Sequence, residues 1–115
     1  MKVLALNGGD RFGLPNSYEV VTESQIGNHD GYKTTAESLE RITELTKNKK
    51  VDVVVIQNNM GAGVGKAKAV DPYMRGKTII SWNTTPASSD KTPYLSLGIK
   101  YFTRFDGVAG LVAKI

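Results

Sequence analysis

Residues 51–57 read VDVVVIQ, and this run restricts the fold more than any other stretch of the chain. Its apolar residues follow one another without the alternation expected of a strand with one wet face. Such a segment is a strand covered on both sides, and strands of that kind belong inside parallel sheets with helices packed above and below. The run stops on three amides, Gln57, Asn58 and Asn59, and then enters a stretch with scattered glycines. In this class of fold, the carboxyl end of a buried strand is where chemistry is usually placed.

Other segments fit the same plan. KVLALN (2–7) reads as a buried first strand ending at NGGD, KTIISWN (77–83) as a fourth and IKYFTRF (99–105) as a fifth. YKTTAESLERITELTKNKK carries Ala36, Leu39, Ile42 and Leu45 at helical spacing, with a capping box from Thr34 and Glu37 at its start. Lys49 and Lys50 follow it, as suits a helix C-terminus. VGKAKAV (64–70) is a short helix closed by Asp71-Pro72. A last helix is expected with Asp106 as its cap and Val108, Leu111, Val112 and Ile115 on one face. SYEVVTESQI reads either as a helix begun by Ser17 or as a strand, because Tyr18, Val20 and Val21 are β-prone; the helix is preferred. GYKTT (31–35) is then left to supply the second strand.

Alternating strands and helices imply right-handed crossovers on a parallel sheet. The expected fold class is α/β: a three-layer, flavodoxin-like, doubly wound parallel five-stranded sheet of order 2-1-3-4-5. With 115 residues there is room for one core, so residues 1–115 are expected to form a single domain.

Composition narrows the function. No apolar run approaches the roughly 20 residues that cross a bilayer, and a cytoplasmic location is the default. There are no cysteines, which removes disulfides, thiolate metal sites and a cysteine nucleophile. The net charge is +4, but the lysines are dispersed and not interleaved with aromatics, so a nucleic-acid partner is not favoured.

Between them, GYKTTAESLERITELTKNKKVDVVVIQNNM and LGIKYFTRFDGVAGLVAKI resemble the middle and closing stretches of a response-regulator receiver domain. KVLALNGGD lies where receivers have their first strand and acidic pair. The resemblance covers about residues 31–115 and is poor over 9–30. It implies a CheY-like scaffold. Carried over position by position, it also implies a degenerate pocket. The phospho-accepting aspartate is replaced by Gln57, and the acidic pair by Asn7 and Gly8, with Asp10 two residues further on. The switch hydroxyl is matched by Ser81 or Thr84. The lysine after strand five is matched by Arg104, without the proline that usually follows. Mg²⁺ favours charged oxygen ligands in a tight octahedron, and these positions supply none.

Two further motifs invite chemistry. GAGVGK has Met60 where a Walker loop needs its first glycine and Ala67 where it needs Ser or Thr. A flexible turn is the preferred reading; an anion nest using Gly61, Gly63 and Lys66 is the alternative. Asn7, Asp10, Gln57, Asn58 and Asn59 converge on the switch point of the expected topology. There they either bond one another and the nearby backbone, which is preferred, or read a neutral polar ligand or nucleobase. His29 sits in a polar turn without a partner histidine. Trp82 is expected to pack on the sheet edge, or less readily to flank a ligand.

The leading expectation is an atypical, stand-alone pseudo-receiver that is not an enzyme, uses no cofactor or metal, and acts by phosphorylation-independent protein–protein contact in signalling or regulation. Receivers use the face of helix four, strand five and helix five for dimers and targets. The matching positions are Tyr94, Lys100, Tyr101, Val108 and Leu111, so this face is the expected place for either a homodimer or contact with another protein. The alternative is a small-ligand protein, a nucleotide binder for example, using the amide pocket and the Gly61–Lys66 turn.

Overall fold

The computed structural model describes residues 1–6, 11–26, 36–48, 51–57, 64–82 and 97–115. Five strands are β1 (Lys2–Leu6), β2 (Glu19–Thr22), β3 (Val53–Gln57), β4 (Thr78–Trp82) and β5 (Ile99–Thr103). The α-helices among the described residues are α1 (Ala36–Asn48), α2 (Val64–Val70) and α3 (Val108–Ala113). The strands pair in parallel in the order β2-β1-β3-β4-β5. The chain therefore has the three-layer, flavodoxin-like and CheY-like doubly wound sheet. No described helix is long and apolar enough to cross a membrane.

β3 explains why its sequence does not alternate. Val53 and Val55 join one core with Val3, Ala5, Ile80, Val108 and Val112; Val54 and Ile56 join the other with Leu4, Leu6, Ile42, Ala67 and Ile79. Four of its five residues are buried, and Gln57 alone is half-exposed at the carboxyl end. α1 turns Ile42 and half-buried Leu45 onto the second core, while the hydroxyl of buried Thr46 donates to the Ile42 carbonyl at 2.8 Å. That back-bond lets a polar residue face the sheet at little cost.

The second strand is not where the sequence pattern put it. β2 is EVVT, inside the stretch read as a helix, and a short 3₁₀ turn, Glu23–Ile26, follows it. GYKTT lies outside the described residues. The β-branched pair Val20-Val21 prevails because β2 aligns with β1, Val3 against Val20 and Leu4 against Val21, and so sends one side chain to each core. The chain between β1 and β2 is turn rather than helix over its described residues, 11–18. Phe12 and Leu14 are buried there against the first core and cover the sheet on the α3 side. Phe12 holds φ at +56°, an unusual setting for a bulky residue.

The last helix also departs from expectation. Asp106 does not cap it: a 3₁₀ turn, Phe105–Gly107, precedes α3, and no side chain caps either element. Val108 and Val112 are buried and Leu111 is half-buried, but Ile115 lies beyond the helix and is exposed. Where α3 begins, Gly107 lies against Thr103, and a Cβ at Gly107 would fall on the Thr103 hydroxyl and 3.4 Å from its Cβ. Gly107→Ala is expected to cost about 1–3 kcal/mol by overpacking, and Thr103→Ala in the same chain should restore most of it. Urea unfolding of the single and double variants checks this.

β5 contains a bulge. Ile79 pairs with Ile99 but Ile80 pairs with Tyr101, so Lys100 is the extra residue. The insertion puts Ile99 in one core and Tyr101 in the other although they are two apart. It leaves Lys100 exposed on an edge strand, a placement that discourages further strand pairing.

Candidate functional site

In a sheet of this order, ligands bind beyond the carboxyl ends of the strands, beside the β1/β3 switch point. Of the residues singled out from sequence, Gln57, Ser81, Lys66 and Arg104 are described at or near this rim. Asn7, Gly8, Asp10, Asn58, Asn59, Gly61, Gly63 and Thr84 lie outside the described residues, as do Tyr94 and His29.

Gln57 ends β3, in register with Trp82 at the end of β4, which in turn is in register with Thr103 at the end of β5. Alternation along each strand puts all three on the face that carries α3 and Phe12. Trp82 is buried under two rings: Phe12 at 6.1 Å and Phe105 at 5.0 Å, both edge-to-face at 77°. Among the described residues its indole N–H has no hydrogen-bond partner. Arg104 follows directly, exposed and, among the described residues, without an ion pair. Trp82 thus packs within a core at the rim and not simply on an edge.

Ser81 points to the opposite core and is 1% exposed, its hydroxyl without a partner among the described residues. A hydroxyl so enclosed is poorly placed to follow events at the rim.

The most unusual electrostatic feature is an ion pair. Lys66, in the first turn of α2, places Nζ 3.0 Å from both carboxylate oxygens of Glu23, just past β2. The side chains are 2% and 0% exposed. A buried carboxylate and ammonium tolerate desolvation only when matched so closely. Lys66, offered by the sequence as the cation of the alternative anion nest, directs its ammonium to Glu23, and the glycines of that nest lie outside the described residues. Sequence reasoning passed over Glu23 altogether. The available signal was an acid immediately after a β-branched run, the place where a strand delivers residues to this rim.

On the expected interaction face, Lys100 is exposed, Tyr101 and Leu111 are half-buried, and the Lys100 ammonium stands 5.6 Å above the Tyr101 ring. Val108 is fully buried and belongs to the core, so it drops out of that face. At the opposite, amino edge of the sheet, a cleft of about 350 Å³ opens beside Asp71, Arg75 and Gly98. There the Asp71 carboxylate accepts the Gly98 N–H at 2.7 Å and fixes the entry to β5. Among the described residues no cluster of three His, Cys, Asp or Glu is placed to hold a metal.

No family model, curated protein or solved structure matches the chain. Its likeness to receivers is therefore one of sheet order and strand polarity, which many unrelated functions share.

Proposed function

We propose that this chain is a receiver-like module without phosphoryl chemistry that acts through protein contacts. The carrying observation is Gln57: the central strand of a 2-1-3-4-5 sheet ends in an amide where the corresponding scaffold presents its acceptor carboxylate. An amide oxygen is a far weaker nucleophile than a carboxylate, and it brings no charge to a divalent cation. At the end of β5, Arg104 keeps a positive charge but replaces a compact ammonium with a planar fork. The reading includes that the chain is not an enzyme and works in the cytoplasm.

Contact would run through β5 and α3, where Lys100, Tyr101 and Leu111 present one cation, one aromatic and one aliphatic group. Aromatic and aliphatic surface beside a charge suits a modest, regulated interface. Incubation with acetyl phosphate and Mg²⁺ tests the chemical half of the proposal. Intact mass is expected to stay unchanged, and a stable added phosphoryl group on an aspartate would overturn it.

A further inference from the structure

Apolar residues alone specify the register of β2 on β1 weakly. β2 lies at the end of the sheet order and pairs with β1 over four residues, Glu19 to Thr22 against Lys2 to Ala5. Val20 faces the first core, and half-buried Val21 faces the second. A slip of one residue would set Val21 against Val3 and Thr22 against Leu4, and every side chain of the strand would change face. Because two valines are adjacent, both cores would still be served. The first would receive Val21 in place of Val20, and the second would receive Val20 and Thr22 in place of Val21. The flanking chain has slack for the shift: Pro15, Asn16 and Ser17 before the strand and Ser24 and Gln25 after it are exposed. The Tyr18 N–H donates to the Pro15 carbonyl and the Thr22 N–H to the Gln25 side chain. Each of these bonds joins residues on the β2 side of the ladder, so neither fixes the register.

Glu23 is the residue that tells the two registers apart. It is 0% exposed, directly after β2, and both its carboxylate oxygens lie 3.0 Å from Lys66 Nζ. Lys66 stands on α2, whose Ala67 and Val70 pack in the second core with Leu4, Leu6 and Ile56 of β1 and β3. The ammonium is therefore held by parts of the fold that do not move with β2. A one-residue slip carries Glu23 about 3.3 Å along the strand, enough to break this contact. It also sets Glu23 against Ala5, on the face of the first core, whose buried members are apolar. A carboxylate forced there without its counter-ion is heavily penalised.

We infer that the Glu23–Lys66 pair is a register lock: it selects one alignment of β2 on β1, and with it the place where β2 ends at the carboxyl rim. Buried ion pairs gain little net stability over apolar groups of similar size, and fixing a register is their best-attested use. The inference is independent of the protein-contact proposal.

The test reads the register itself, from cross-strand nuclear Overhauser contacts between the backbones of β1 and β2 in the intact chain. Wild type should give one set, with Val3 against Val20. Glu23→Leu with Lys66→Met should fold but show a second set of comparable intensity, with Val3 against Val21, because leucine at position 23 suits the first core in the slipped register. Glu23→Gln with Lys66→Met puts a polar group back at position 23 and should return most molecules to the wild-type set. Two results overturn the inference. One is the wild-type set alone in the Glu23→Leu, Lys66→Met chain, or failure of that chain to fold, which would make the pair a requirement for stability and not a choice between registers. The other is an equal mixture of registers in both double variants.

Discussion

Lys66→Met is expected to destabilise the fold by about 3–5 kcal/mol, because it leaves the Glu23 carboxylate buried without this counter-ion. Glu23→Leu should cost a similar amount by removing this carboxylate from beside the buried ammonium. The double variant, Glu23→Leu with Lys66→Met, should recover most of the loss and reach or exceed wild-type stability, since a buried pair gains little over well-packed apolar groups. Urea unfolding of the four proteins gives the coupling energy directly. High salt should leave that coupling nearly unchanged, because buried pairs are poorly screened. The surface pair Lys2–Glu19, at 3.3 Å with the glutamate 68% exposed, is the internal control. It should be worth no more than about 1 kcal/mol and fade with salt. Additive single-variant losses would mean that Lys66 and Glu23 do not meet.

Phe12→Ala carries the second large effect. Phe12 takes much of the part of a packing helix on the α3 side of the sheet, and truncating a buried Phe costs about 3–5 kcal/mol. Its backbone gives the test more resolution. Glycine is ordinarily less stable than alanine by about 0.5–1 kcal/mol, but φ at +56° penalises any side chain with a Cβ by roughly 1–2 kcal/mol. Phe12→Gly should therefore be at least as stable as Phe12→Ala. The reverse order in thermal and urea unfolding would place Phe12 in an ordinary conformation.

Individual elements differ in how far the sequence could reveal them. β1, β3, β4 and α2 were legible because each imposes its own pattern: unbroken apolar runs for doubly covered strands, and a short alanine- and lysine-containing turn closed by Asp71-Pro72 for the helix. β2 was hidden because four residues, EVVT, are too few to display a period, and only pairing with β1 decides their state. The bulge at Lys100 left no mark either, since one extra residue in IKYFTRF changes the facing of its neighbours without changing composition. Glu23 and Lys66 are 43 residues apart and meet only after β2 and α2 are both placed. For the candidate site, Gln57 and Arg104 could be located from strand ends alone. The alignment of Gln57, Trp82 and Thr103 needed the register across three strands. Val108 was misplaced on the interaction face because helical spacing marks one stripe without saying whether it meets the sheet or a partner.

The proposed role in protein contact is tested most directly by comparing partner capture from a native extract by three forms of the chain: wild type, Lys100→Glu and Gln57→Leu. Lys100 is exposed on the β5 edge, and Gln57 is half-exposed at the rim, so both variants should fold normally. The account predicts that Lys100→Glu loses the proteins held specifically by the wild type, whereas Gln57→Leu retains them. Retention by Lys100→Glu together with loss in Gln57→Leu would contradict it and move the working surface to the carboxyl rim of the sheet.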